Sequence, residues 1–363
     1  MRKSGLHTQS KFRLLVVRLG AMGDILHALP AVTALRRSHP SWVIDWVVES
    51  RWKALLAAES LAGPHPTQRN PGQPLVDTIH LATTKQWRNR ALSVQTLQEI
   101  RTLRRDLRAG DYDAVLDLQG AIRSALVCRL AGCRRVIGEA NPRESIARLF
   151  FTEQVVTRGE HVIEQDVELA AAVAGDELET TLPMLPIDPA AEDWAEQILP
   201  AVSGQKAVLI NPGAGWGAKR WPVERYAAVA VGLIGRGFRV VVNAGPGEEA
   251  LADAIEASAG SATRINCSLG QLIALTRRVA LVIAGDTGPL HLACALGRPV
   301  VGIYGPTDPS RNGPYGTRFK VLRSPESRRD HTRREAPEAG LLTIQPDDVL
   351  TAADELLAPE ITR

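Results

Sequence analysis

The stretch at residues 284–297, with the sequence AGDTGPLHLACALG, constrains the fold of this chain more than any other. It lies between two β-branched apolar runs, residues 279–283 and 299–304, which predict buried strands. The residues between these runs predict a tight turn and a short helix. This order indicates a parallel α/β sheet, because a parallel connection needs a crossover of this kind.

The predicted helix has signals at both of its ends. Asp286 or Thr287 can cap its start, and Pro289 suits its first turn. Gly297 suits its end. A helix that starts at the carboxyl end of a buried parallel strand points unpaired N–H groups and its positive dipole end into the crevice above the sheet. This place suits a phosphate group, although the same stretch is also compatible with an ordinary strand–helix connection.

A second glycine-rich loop, residues 211–222 (NPGAGWGAKRWP), follows a predicted strand at residues 207–210. Gly213 and Gly215 allow backbone N–H groups to approach a phosphate, and Lys219 supplies a mobile positive charge beside it. The loop lacks the Walker A pattern. Two phosphate-suited turns in one half of the chain favour a nucleoside diphosphate over a simple glycine-rich turn.

Acidic residues follow the next predicted strand, residues 239–243. Glu248 and Glu249 end the sequence GPGEE and lie where the strand meets a helix. One of these carboxylates can accept hydrogen bonds from a ribose, as acidic residues do in other nucleotide-binding folds.

The order of the predicted elements divides the chain into two domains. With 363 residues, of which 45% are hydrophobic, the chain is long enough for two α/β domains with separate cores. Residues 1–183 and 184–345 each alternate strands and helices, and a segment rich in Pro, Asp and Glu connects them. The pattern predicts two Rossmann-like domains facing a cleft. Residues 346–363 contain a last helix, which is expected to pack back on the first domain.

The first domain opens with a strand at residues 12–17 and a turn, RLGAMGD, that leads into a helix. Pro30 is expected to restart this helix. The turn has the spacing GxxG and not GxGxxG, which excludes the dinucleotide fingerprint. Asp24 lies in the first helical turn, where it is either a functional acid or a residue that compensates the helix dipole. His27 is interpreted as a packing residue.

Two other parts of the first domain carry polar groups suited to an anionic substrate. Residues 85–90 form a basic and aromatic cluster that includes Arg88. Such a cluster can bind an anionic substrate, but it more often marks the solvent-exposed start of a helix. The predicted strand at residues 114–118 delivers Gln119 and Arg123 into a turn at its carboxyl end. Open parallel sheets bind ligands at these ends.

Composition excludes several classes of protein. The formal net charge of +3 is too small to indicate nucleic acid as a partner. The four cysteines have no CxxC or Cys/His spacing, which argues against a zinc site and a disulfide framework and favours a cytoplasmic setting. No apolar run is long enough to span a bilayer, so contact with a membrane would be made from the surface. No metal or cofactor is expected.

Together these residues resemble glycosyltransferase family 9, the heptosyltransferases. The similarity extends over nearly the whole chain, from about residue 13 to 358, with the motifs in the family's order. The matching motifs are MGDILH at 22–27, LPA at 29–31, DWVVE at 45–49, YDAVLDLQG at 112–120, KRWP at 219–222, DTGPLH at 286–291 and VGIYGPTDP at 301–309.

The resemblance implies a GT-B fold and an inverting, metal-independent transfer of L-glycero-D-manno-heptose from ADP-heptose to Kdo of the lipid A inner core. It also implies a monomeric enzyme, peripheral on the cytoplasmic face of the inner membrane. Asp24 matches the family's general base. Residues at positions that contact the donor are Gly213, Gly215, Lys219, Glu248, Glu249, Asp286, Thr287, Gly288, Leu290 and His291. Residues at positions near the acceptor are Arg88, Gln119 and Arg123.

The resemblance leaves alternatives open. The chain is most similar to heptosyltransferases of type I, but Gly20-Ala21 replaces a Ser-Ser pair frequent in that type, and the Asn-Pro-Gly-Ala form at residues 211–214 is more typical of type II. Type II would transfer heptose to the first heptose. A GT-B sugar-nucleotide epimerase or hydrolase, and a noncatalytic sugar-nucleotide-binding protein, would share the donor pocket.

Overall fold

The computed structural model describes residues 11–60, 69–90, 93–201, 204–330 and 334–358, with the backbone alone for Lys85 and Arg88. Two parallel six-stranded sheets, each flanked by helices, account for most of this part of the chain.

The first sheet has the strand order β3-β2-β1-β4-β5-β6. Its strands are β1 Arg13–Val17, β2 Val43–Glu49, β3 Thr78–Ala82, β4 Ala114–Asp117, β5 Val136–Glu139 and β6 Glu153–Val155. Its helices are α1 Met22–Ser38, α2 Thr84–Asn89, α3 Val94–Ala109, α4 Ile122–Leu130 and α5 Val162–Ala174.

Both faces of this sheet are covered, as the continuous apolar composition of its strands predicts. In β1, Leu14 and Val16 belong to the apolar cluster that contains α1 and α5. Leu15 and Val17 point to the other face, where they join the cluster that contains α3 and α4 residues. This alternation fixes β1 in the middle of a three-layer domain.

The second sheet has the order β12-β11-β10-β7-β8-β9, which repeats the strand arrangement of the first. Its strands are β7 Ala207–Asn211, β8 Arg239–Asn243, β9 Thr263–Ile265, β10 Leu281–Gly285, β11 Val300–Tyr304 and β12 Phe319–Arg323. The connecting α6 Pro189–Ile198 precedes it, and its other helices are α7 Val223–Gly235, α8 Glu249–Ala259, α9 Leu269–Thr276, α10 Gly288–Ala295, α11 Pro309–Asn312 and α12 Pro346–Leu357.

Three local predictions differ from the structure. Helix α1 is continuous through Pro30, which interrupts one backbone hydrogen bond without restarting the helix. The sequence of residues 142–150 predicts an α-helix, and the structure has the 3-10 helix Ser145–Phe150 in its place. Helix α12 does not use its apolar face to cover the first domain: Val349, Ala353 and the other buried residues of this face pack with α7 and the second sheet. Residues 359–363 lie outside the described residues.

The two domains meet along packed helices. Helix α1 packs on α10, and α6 packs on α9. One apolar cluster includes residues of both pairs, among them Leu26, Leu292, Ala195 and Leu272. The carboxyl ends of β1 and β10 therefore open onto the same cleft. None of the described helices has the length and apolar character that crossing a bilayer requires.

Candidate functional site

The starts of α1 and α10 lie against each other at the base of the cleft. A Cβ atom placed on Gly23 would be 2.9 Å from Cδ2 of His291, and one placed on Gly288 would be 2.5 Å from the sulfur of Met22. Neither glycine can be replaced without moving its neighbour. The close approach brings the first turn of each helix, and the charged residues beside it, to one place.

Asp24 is held in the first turn of α1 with part of its carboxylate open to solvent. Its Oδ2 accepts a hydrogen bond of 3.0 Å from the Ala21 N–H, and its Oδ1 lies 3.5 Å from the guanidinium of Arg18. The side chain of Asp24 is 39% exposed, whereas that of Arg18 is 8% exposed. Asp24 thus serves as a helix cap and also keeps a partly exposed carboxylate beside the buried positive charge of Arg18.

Lys219 and Asp286 form an ion pair across the second sheet's switch point, where the loops after β7 and β10 meet. Both side chains are 11% exposed. The Nζ of Lys219 also lies 3.4 Å from the Asp286 carbonyl oxygen and 4.3 Å from the centre of the Trp216 ring. The glycine-rich loop therefore delivers its cation to the N-terminal side of α10, which is the positive end of that helix.

His291 links this ion pair to the first domain. Its Nε2 lies 3.2 Å from Oδ1 of Asp286, and its Nδ1 lies 3.1 Å from Nε2 of His27. Burial alone would raise the pKa of Asp286, but the hydrogen bond from His291 and the charge of Lys219 outweigh burial and hold that pKa well below its usual range. Asp286 is therefore a carboxylate that only accepts hydrogen bonds.

Close packing fixes the glycine-rich loop. A Cβ atom on Gly213 would overlap the carboxylate of Glu248, which accepts hydrogen bonds from the N–H groups of Ala214 at 3.1 Å and Gly245 at 3.3 Å. Gly217 packs on the backbone of Glu335 in the same way. No described atom lies within 4 Å of a Cβ placed on Gly215, so the loop leaves open space at that residue.

The remaining residues predicted to contact a donor have different environments. Thr287 precedes α10 as its N-cap residue, and its hydroxyl donates to the Gly285 carbonyl at 3.2 Å. The half-buried Glu249 starts α8 and accepts a hydrogen bond of 3.0 Å from the Gly247 N–H. Leu290 is fully buried, and its side chain supports α10 from the core, so the contact of this residue with a donor stays a prediction.

The residues predicted to contact an acceptor surround the loop before α1. Gln119 is buried, and its Oε1 accepts a 2.9 Å hydrogen bond from the Leu19 N–H. The guanidinium of Arg123 is 45% exposed and lies 3.8 Å from the carboxylate of Glu49. The side chain of Arg88 lies outside the described part of the chain. Gln119 therefore shapes the loop, whereas Arg123 keeps a partly exposed charge beside Glu49.

Three residues near Asp24 and His291 escaped sequence analysis. His27 was interpreted as a packing residue, yet it makes a hydrogen bond between domains. Its spacing of four residues from Gly23 was the available signal, because positions i and i+4 share a helix face. No comparable spacing in the sequence marks Arg18. Asp166 of α5 is fully buried, and its Oδ2 has no hydrogen-bond partner among the described residues.

Within the described ranges, no three or more His, Cys, Asp or Glu side chains are grouped so that they could hold a metal ion. The positive charges that face the junction of α1 and α10 come from Arg18, Lys219 and the helix N-termini.

Comparisons with known proteins agree with this geometry. The family model described as "Glycosyltransferase family 9 (heptosyltransferase)" matches residues 100–341. Lipopolysaccharide heptosyltransferase 1 of Escherichia coli K12 is 31% identical over 318 residues, which are 86% of this chain and 94% of that protein.

Solved structures give the same result. E. coli heptosyltransferase WaaC with ADP-2-deoxy-2-fluoro heptose is 28% identical, with a TM-score of 0.75, and the match covers 95% of this chain and 99% of that one. E. coli heptosyltransferase II shares the fold, with a TM-score of 0.73, 22% identity and coverage of 95% and 98% of the two chains.

Two Rossmann-like domains that face a cleft, together with these neighbours, define a GT-B glycosyltransferase. The chain belongs to glycosyltransferase family 9, the heptosyltransferases. It is an enzyme of lipopolysaccharide core biosynthesis.

Proposed function

We propose that the enzyme transfers L-glycero-D-manno-heptose from ADP-heptose to Kdo of the lipid A inner core, with inversion and without a metal ion. The observation that carries this proposal is the contact between the starts of α1 and α10, where Gly23 lies against His291. It brings the first turn of α1, which carries Asp24, against α10, whose start lies beside Asp286, the partner of Lys219. The WaaC neighbour, which was solved with a fluorinated ADP-heptose, supports the choice of donor.

In this proposal the leaving diphosphate lies between Lys219 and the N-terminus of α10. A growing negative charge on the β-phosphate would be stabilised by the ammonium group and by the helix dipole. Asp286 holds the ammonium group in place. Glu248 orders the loop through Ala214 and Gly245 and lies where the nucleoside would bind.

Asp24 would act as the general base from the opposite side of the sugar. Inverting transfer requires a base that takes the proton of the attacking Kdo hydroxyl while the bond to ADP breaks through an oxocarbenium-like transition state. The part of the Asp24 carboxylate that is exposed to the cleft can accept that proton, and Arg18 supports the charge from the buried side. Arg123 would contact the anionic acceptor.

We infer a peripheral position on the cytoplasmic face of the inner membrane from a surface that we call the basic face. It consists of the exposed sides of α4 and of the adjoining 3-10 helix Ser145–Phe150. Its exposed apolar residues are Leu126, Ile146 and Leu149, and its exposed cations are Arg123, Arg129 and Arg148. Apolar side chains among arginines suit an anionic lipid surface, and α4 contains no acidic residue.

Incubation with ADP-heptose and Kdo-lipid A tests the activity, with the product scored by its mass and its anomeric configuration by NMR. UDP- and GDP-sugars serve as donor controls, and Kdo-lipid A that already carries one heptose serves as the type II acceptor. A single heptose added with inversion to the unsubstituted acceptor supports the proposal. Product formed only on the heptosylated acceptor would assign type II, free heptose or an epimer would indicate a hydrolase or epimerase, and ADP binding without turnover would indicate a binding protein.

A further inference from the structure

A line of polar contacts runs from the first domain to the ion pair of the second. Nε2 of His27 lies 3.1 Å from Nδ1 of His291, whose Nε2 lies 3.2 Å from Asp286. Asp286 in turn pairs with Lys219. Both histidines are buried, each with 6% of its surface exposed. His27 is the residue of α1 that makes a contact in this line.

The direction of each hydrogen bond follows from the carboxylate at its end. Asp286 is ionised and can only accept, so Nε2 of His291 carries a proton. If His291 is neutral, its Nδ1 is an acceptor, and the Nε2–H of His27 donates to it. Burial, followed by the nearby charges of His291, His161 and Arg18, lowers the pKa of His27 well below its ordinary value, so His27 is neutral.

Packing alone does not fix the two rings. A cavity of about 280 Å³ adjoins them, and its walls include Leu26, Tyr315 and both histidines. The His161 ring is nearly perpendicular to that of His27, with 5.6 Å between the ring centres, and its Nε2 lies 3.1 Å from the Gly313 carbonyl oxygen. A ring beside open space has room to rotate, and the hydrogen bond between His27 and His291 opposes that rotation.

We propose that His27 is a positioning residue for the donor site: its hydrogen bond to Nδ1 fixes the orientation of the His291 ring, which in turn holds Asp286 against Lys219. This inference rests on the proposed role of Lys219 as a phosphate-binding cation. Because His27 and His291 belong to different domains, separation of α1 from α10 breaks the line. The affinity for the donor is thereby coupled to domain closure.

The test compares two variants of similar size. His27→Gln keeps an N–H donor on a side chain of comparable reach, and His27→Met removes it. We expect His27→Met to raise both the donor KM and the Kd of ADP about 5- to 10-fold, as the loss of one hydrogen bond predicts. The acceptor KM should stay unchanged, and His27→Gln should remain within about twofold of the wild type.

ADP binding, measured by calorimetry, separates failure of this inference from failure of the proposed function. A wild-type protein that neither binds ADP nor transfers heptose would refute the proposed function. Wild-type ADP affinity in His27→Met, or equal increases in donor and acceptor KM, would overturn the inference. If His27→Met does not fold, ¹⁵N-histidine NMR of the wild type decides: neutral His291 protonated at Nε2 supports the inference, and protonation at Nδ1 alone overturns it.

Discussion

The imidazole of His291 occupies the space that a side chain on Gly23 would need, since a Cβ atom there would lie 2.9 Å from Cδ2 of the ring. The two residues belong to different domains, and the His291 ring is hydrogen-bonded through both nitrogens. Helices α1 and α10 therefore keep this contact only while residue 23 has no side chain.

Gly23→Ala should push His291 away from its partners or separate α1 from α10. We expect kcat/KM for the donor to fall about 10-fold or more, because displacements near 1 Å are costly in a positioned site. Steady-state kinetics measure this. Gly235→Ala is the matched control, since a Cβ at residue 235 meets no described atom within 4 Å, and its activity should equal that of the wild type. Equal activity of both variants would contradict the close-contact argument.

Asp24→Asn should lower the rate of transfer about 10²- to 10⁴-fold and leave ADP affinity within about twofold, because it removes the base and not the phosphate site. Asp348→Asn is a control for the capping role, since Asp348 accepts a 2.8 Å hydrogen bond from the N-cap N–H of α12 as Asp24 does in α1. Rates and ADP binding should be measured for both variants. Full activity of Asp24→Asn would eliminate the assignment of the base.

Lys219→Ala should weaken ADP binding by about 1.5–3 kcal/mol, the range of a charge-assisted hydrogen bond. It also leaves Asp286 buried without its cation, so the melting temperature should fall. The double variant Lys219→Ala/Asp286→Asn should recover the melting temperature without recovering ADP affinity. Calorimetry and thermal unfolding distinguish the two effects, and unchanged ADP affinity in Lys219→Ala would refute its role.

Asp166 gives a prediction about pH. Burial, more than the opposing charge of Arg18, raises the pKa of Asp166 to about 7. The folded state thus keeps a proton that the unfolded state loses above about pH 4, so this group's contribution to stability falls as pH rises from about 4 through 7.

The Asp166→Asn variant has no carboxyl group to ionise at this position. The melting temperature of the variant minus that of the wild type should therefore be larger at pH 8 than at pH 5. Thermal unfolding across this range measures the difference. The exposed Asp193 supplies the control variant Asp193→Asn, whose difference from the wild type should not depend on pH. A constant difference for Asp166→Asn as well would show that the carboxyl is not protonated in the native state.

The basic face predicts a separation between membrane binding and catalysis. Leu149→Glu places a charge on a residue that is 76% exposed, and it should reduce binding to phosphatidylglycerol vesicles while leaving activity on detergent-dispersed acceptor unchanged. Val231→Glu, at a residue of the second domain that is 49% exposed, is the control. Vesicle sedimentation measures binding. Equal retention of vesicle binding in both variants would exclude the basic face as the contact surface.

Sequence patterns predicted the sheets well because strands buried on both faces leave continuous apolar runs, as in β1 and β10. They also predicted the turns that carry Asp24, Lys219 and Asp286, because each follows such a strand. GT-B architecture and membership of family 9 were expected from the motifs, and both were confirmed.

The predictions that were wrong concern features that tertiary packing determines. Pro30 lies inside α1 because neighbouring helices bury that turn, which offsets the lost hydrogen bond. Nothing in the local pattern of α12 shows which domain its apolar face covers. The partner of His27 is 264 residues away in the chain, and no spacing rule reaches that far.

The apolar cluster that joins α1 to α10 and α6 to α9 belongs to neither domain alone. Cutting the chain between the two domains would expose this apolar cluster to water on both fragments. The folded unit of this enzyme is therefore the pair of domains, and heating should melt both together in a single calorimetric transition.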